Sequence, residues 1–92
     1  MNASSGLTAL ATTTDAVVEA ISNEKALGAN HLQVNNEGAV AGFISWDGGS
    51  NWHRVKASTI QTYDHMGTTN AVQIKRVAGG SNMADVYVSV WS

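Results

Sequence analysis

From Asp15 onward the chain alternates short runs of β-forming residues with clusters of Gly, Asn, Asp and Ser, and no proline interrupts it. That rhythm constrains the fold more than any other feature. Runs of roughly four to eight residues bounded by turn formers read as strands. A proline-free run leaves every backbone N–H free to join a ladder. His31-Leu32-Gln33-Val34-Asn35 alternates cleanly, and Asn36-Glu37-Gly38 follows as a turn. Ala39 to Trp46 carries the densest strand signal, with Val40, Phe43, Ile44 and Trp46 giving apolar character on both faces. Asp47-Gly48-Gly49-Ser50 reverses the chain into Asn51–Val55. Ser58–Thr62 is a short strand, and Tyr63–Asn70 reads as a polar loop. Ala71–Lys75 turns Val72 and Ile74 inward, and Ala78–Asn82 is the last turn. Asp85–Trp91 sets Val86, Val88 and Val90 on one face and Tyr87, Ser89 and Trp91 on the other.

The N-terminal part is less decided. Asp15–Ile21 fits a strand, with Val17, Glu19 and Ile21 alternating against Val18 and Ala20, but a short helix capped by Thr14 and ending at Ser22 fits too. Leu7–Thr14 is mixed, and Met1–Gly6 offers nothing to bury and reads as a flexible arm. The expected fold is therefore all-β: a small antiparallel β-sandwich or barrel of about seven strands with a flexible N-terminal arm, residues 1–92 forming one domain.

A chain of 92 residues buries about 63% of its surface on folding, which leaves little surplus stability. Partners or further copies are the usual source of the rest. Charge is sparse, 13% of residues with a net of -2, and Lys25, Arg54, Lys56, Lys75 and Arg76 form no phosphate-binding stripe. Lys75 and Arg76, the one basic doublet, point to opposite faces of a strand, so nucleic-acid binding is not expected. Without cysteine there is no disulfide framework and no thiolate metal site. No stretch reaches the roughly 20 apolar residues of a membrane span, and the start of the chain lacks the basic and apolar segments of a signal peptide.

Nothing in the spacing of polar residues points to catalysis. Asp15, Glu19, Glu24, Glu37, Asp47, Asp64 and Asp85 make no recognisable acid/base pair. Asp64-His65 reads as a solvated loop pair, and His31, His53 and His65 are too dispersed for a metal site. No serine sits in a nucleophile motif. The expectation is a protein that is not an enzyme and needs neither cofactor nor metal.

One local motif has some specificity. Ser45-Trp46-Asp47-Gly48-Gly49-Ser50-Asn51-Trp52 resembles the Asp-box hairpin of sialidase-like propellers, with Asn51 where Thr usually precedes the Trp. Asp47 should accept turn N–H groups, Gly49 should supply a positive φ, and Trp52 should pack over the hairpin. These three residues are read as stabilising the turn, since one copy cannot build a propeller of about 4 to 8 blades.

A broader resemblance spans about half the chain. Gly42-Phe43-Ile44-Ser45-Trp46-Asp47-Gly48-Gly49-Ser50-Asn51-Trp52-His53-Arg54-Val55, then Val72-Gln73-Ile74-Lys75-Arg76, then Asp85-Val86-Tyr87-Val88-Ser89-Val90-Trp91 resemble the small virion proteins of tailed bacteriophages, some of which are head decoration (cement) proteins. The resemblance implies a compact β domain, made in the host cytoplasm, that sits on the capsid surface. It also implies the major capsid protein and further copies of the chain as partners, with a homotrimer favoured. Tyr87, Trp91 and Trp46 are then the candidate interface residues, because outward aromatic side chains suit protein contacts. The alternative is a carbohydrate-binding or host-surface-binding module that uses Trp46, Trp52 or Trp91 as stacking platforms.

Overall fold

The computed structural model describes residues 11, 12, 14–22, 28–64 and 71–91. The expected arm at residues 1–6 lies outside them. Seven antiparallel strands form two sheets, and no helix occurs among the described residues. The strands are β1 (Val18–Ile21), β2 (His31–Asn36), β3 (Gly42–Ser45), β4 (His53–Val55), β5 (Thr59–Asp64), β6 (Val72–Arg76) and β7 (Val86–Trp91). One sheet has the order β1-β6-β3-β4 and the other β5-β2-β7.

Alternation within the strands builds the core. Leu32 and Val34 of β2, Val86, Val88 and Val90 of β7, Ile44 of β3, Val55 of β4, and Val72 and Ile74 of β6 are fully buried and pack together between the sheets. Met83, just before β7, joins them. Its backbone is clasped by Thr12, which donates its N–H to the Met83 carbonyl and accepts the Met83 N–H on its hydroxyl.

One segment resolves the choice left by the sequence, and another differs from its reading. Over Val18–Ile21 the chain is a strand, not a helix. Its register shifts between Glu19 and Ile21, so Val18 lies opposite Ile74 and Ile21 opposite Val72. That bulge lets two apolar residues three apart both meet the core, and Val17 is left 45% exposed. Tyr63 and Asp64 are not loop residues: they complete β5, opposite Leu32 and His31 of β2. Ladder pairing with β2 holds these polar positions extended, which local composition does not reveal.

Asn36, read as part of a turn, is the last residue of β2 and is fully buried. Its amide donates to the carbonyls of Val40 at 2.8 Å and Lys56 at 3.2 Å and accepts the Gly38 N–H at 3.1 Å. The same turn is held from two other loops. Gly38 O accepts the Ser58 N–H, and Glu37 N–H donates to Asp85 O. Ser58 and Asp85 both adopt positive φ, 54° and 57°. Gly38 itself tolerates no side chain, because a Cβ there would fall on the Ala84 carbonyl oxygen.

Replacing Asn36 with Ala leaves two carbonyls and one N–H short of a partner in a buried place. The Asn36→Ala protein is expected to lose about 2–4 kcal/mol, several times a surface substitution. Urea unfolding followed by tryptophan fluorescence measures the loss. A midpoint within error of the parent would show that the three loops hold without this amide.

Candidate functional site

The β3–β4 hairpin is organised by one carboxylate. Asp47 Oδ1 accepts the Ser45 hydroxyl at 2.7 Å and the Asn51 N–H at 3.0 Å, while Oδ2 accepts the Asn51 side-chain amide at 2.8 Å. Asn51 therefore contributes two donors from the position where the motif usually has Thr. The Gly49 N–H goes to the Ser45 hydroxyl oxygen, not to the carboxylate. Gly48 and Gly49 take φ of 75° and 89°, and the Trp52 indole packs against Gly49. The donors hold the Asp47 carboxyl down at about 2, the Asn51 amide most and the Ser45 hydroxyl next.

The three tryptophans occupy three separate places. Trp46 stacks on His53, ring centres 4.3 Å apart and nearly parallel, and meets Tyr63 at 4.9 Å. These rings close the side of the sandwich where the edge strands β4 and β5 meet. Gln61 ties the same side. Its Oε1 accepts the Lys56 N–H at 2.9 Å, and its Nε2 donates to Arg54 O at 3.1 Å and to the Tyr63 hydroxyl at 2.9 Å. Burial pushes the Tyr63 phenol up despite that bond. Trp52 lies on the outer face of the four-stranded sheet. Trp91 lies on the outer face of the three-stranded sheet, stacked against His31 with centres 5.4 Å apart.

The expected interface trio is thus divided. Tyr87 and Trp91 share the outer face of β5-β2-β7, and Trp46 is elsewhere. On that face three rows run across the strands: Asp64–His31–Trp91, Thr62–Gln33–Ser89 and Ile60–Asn35–Tyr87. His31 Nδ1 is 2.7 Å from Asp64 Oδ1. Ile60 is 59% exposed. A groove at the far end is lined by Asn35, Asn36, Glu37, Ser58, Thr59 and Ile60, with the Asn35 amide bonded to the Glu37 carboxylate at 3.2 Å. Strand β7 pairs with β2 alone among the described residues.

Sequence reasoning did not single out His31, Gln33, Asn35, Ile60 or Asp64 as parts of one face. Alternation in β2 places His31, Gln33 and Asn35 together, but their neighbours come from β5 and β7, which are distant in the chain. No group of three or more His, Asp or Glu able to hold a metal occurs among the described residues. His65, and with it the Asp64-His65 pair, lies outside them. Comparison of the chain with family models, with curated proteins and with solved structures gives no match.

The hairpin makes a pH prediction with a definite sign. Asp47 titrates lower in the folded than in the unfolded chain, so its stabilisation is complete above the usual carboxylate range and fades as pH falls toward about 2. Asp47→Ala should cost about 1–2 kcal/mol at neutral pH, toward the lower end because the hairpin tip is open to water. The gap between parent and variant should stay constant down to about pH 5 and shrink below it. Urea melts at a series of pH values decide this, and a gap that widens in acid would contradict it.

Proposed function

We propose that the chain is a non-catalytic virion structural protein of a tailed bacteriophage, a decoration protein that binds and stabilises the outer surface of the head as an oligomer. One observation carries most of this reading: the outer face of the three-stranded sheet, where Trp91, Tyr87 and exposed Ile60 surround the uncharged Gln33, Asn35, Thr62 and Ser89. Aromatic anchors among uncharged polar side chains, with the Asp64–His31 pair in the row of Trp91, are a usual composition of a protein interface. Aromatic side chains on the last strand are surface of the kind that a closed oligomer covers at a shared axis. The partners in this reading are the major capsid protein and copies of the chain, with a trimer favoured by the resemblance to decoration proteins. Modest contacts repeated at several subunit junctions then add through avidity. The place of action is the capsid surface, after synthesis in the host cytoplasm.

A second reading draws on the same face. Amides of Gln33 and Asn35 beside Tyr87 and Trp91 are the groups that grip sugar hydroxyls and stack on sugar rings, as in a carbohydrate-binding or host-surface-binding module. The separation of Trp46, Trp52 and Trp91 onto three surfaces favours assembly over a single glycan groove built from the tryptophans.

The parent protein should sediment at micromolar concentration well above its 9.6 kDa monomer mass and pellet with capsids. Trp91→Glu should remove an anchor of about 2 kcal/mol or more, break the oligomer or release it from capsids, and leave the fold intact. A monomeric parent that ignores capsids but is retained on a glycan array would replace assembly with the second reading.

A further inference from the structure

The two outer faces of the sandwich are not alike. On the four-stranded sheet, Lys75 of β6, Phe43 of β3 and Arg54 of β4 stand directly opposite one another in a single row. The Lys75 ammonium lies 4.2 Å from the centre of the Trp52 indole and 5.8 Å from that of the Phe43 ring. Trp52 is itself fixed against Gly49 at the hairpin. Neither Lys75 nor Arg54 pairs with a carboxylate among the described residues, where the ion pairs are His31–Asp64 and Arg76–Asp15. Exposed Lys56 follows Arg54 by two positions.

The acids near this row are few. Asp47 is committed to Ser45 and Asn51, and Glu19 stands on β1 opposite Gln73. Other exposed carboxylates, those of Asp64, Glu37 and Asp85, belong to the three-stranded sheet or the turns at its end. Unpaired Lys75 and Arg54 therefore share one outer face, where Glu19 at the far strand is the exposed acid among the described residues.

A free lysine side chain loses considerable rotamer entropy when a partner fixes it. Held over two aromatic rings, the Lys75 ammonium has already given up part of that freedom, so less is lost on binding. An arginine beside aromatic rings is also the composition that concentrates binding energy in interfaces.

We propose that the outer face of the four-stranded sheet is a second docking surface, and that it takes an acidic protein surface. Carboxylates of the partner meet Lys75 and Arg54, and an apolar side chain between them rests on Phe43. A nucleic acid fits less well. Its evenly spaced phosphates call for a continuous run of cations, whereas here two cations flank one ring on a chain of net charge -2. The inference goes beyond the decoration reading and uses none of the residues that carry it.

The test uses the full chain and two probes, labelled poly-L-glutamate and labelled oligothymidylate, with fluorescence anisotropy as readout. Poly-L-glutamate should bind at low ionic strength and weaken markedly at physiological salt. Amide shift changes in NMR spectra should centre on Phe43, Arg54 and Lys75. The double variant Arg54→Glu, Lys75→Glu should bind about tenfold or more weakly. The neutral pair Arg54→Gln, Lys75→Gln should weaken binding too, which guards against a folding defect caused by charge reversal, and melting curves check both. Absence of poly-L-glutamate binding, unchanged binding by folded variants, shifts centred on another face, or tighter binding of oligothymidylate would each overturn the proposal. Capsid pelleting is read separately, so failure here leaves the decoration reading to its own test.

Discussion

A single buried amide ties together two of the loops at one end of the sandwich, and the turn it shapes bonds to a third. Asn36 ends β2, and its side chain bonds to its own turn, to the segment before β3 and to the β4–β5 turn. A buried amide with its partners in place is nearly neutral, but one without them is costly, so the geometry of its partners is tightly specified. Ser58 and Asp85 hold left-handed backbone conformations on the loops that bond this same turn. Such conformations persist only where neighbouring contacts over-determine them. Fixing the end of β2 also fixes its register against β5 and β7, and that register sets the three rows of the outer face. A slip of one residue would put Leu32 and Val34 into water and His31, Gln33 and Asn35 into the core.

Much of the fold was legible in the sequence because the signal is periodic. Val86, Val88 and Val90 had to share a face, and so did Val72 and Ile74; burying each set requires a facing sheet. The β1 segment was ambiguous for an equally physical reason. A bulge breaks the period of two, so Val18 and Ile21 both face inward, and no simple alternation predicts that. Asn36 could not be recognised as a core residue, since Asn before Glu-Gly reads as turn chemistry until its distant acceptors are known. The hairpin was legible through its motif, although Asn51 supplies donors that the motif assigns elsewhere.

The candidate surfaces were less legible, because each is assembled across strands that are distant in the chain. Tyr87 and Trp91 follow from alternation along β7. Their neighbours His31, Asp64 and Ile60 require the order β5-β2-β7, which no local pattern encodes. Trp46 shows the converse. An aromatic at the end of a strongly apolar strand looks available for binding, yet it stacks on His53 and closes the seam where β4 and β5 meet. That side of the sandwich is sealed by rings and by Gln61.

This asymmetry bears on how copies of the chain could combine. The two outer faces look in opposite directions, and they differ in charge: Lys75 and Arg54 stand without a carboxylate on one, whereas Asp64 on the other is paired with His31. A contact between the face of one copy and the opposite face of the next would stack molecules along a line. Head-to-tail contacts of that kind close into a ring only when the two patches are suitably angled, and otherwise they propagate as filaments. A closed trimer of the proposed kind avoids such stacking when the face that bears Tyr87 and Trp91 meets a different surface of the next copy. In that proposed arrangement self-association occupies the face of Tyr87 and Trp91 and leaves the row of Lys75, Phe43 and Arg54 pointing outward for a different, acidic partner. Two surfaces with unlike chemistry, one for copies and one for another protein, are what a small clamp needs if it is to hold neighbouring subunits without polymerising on its own.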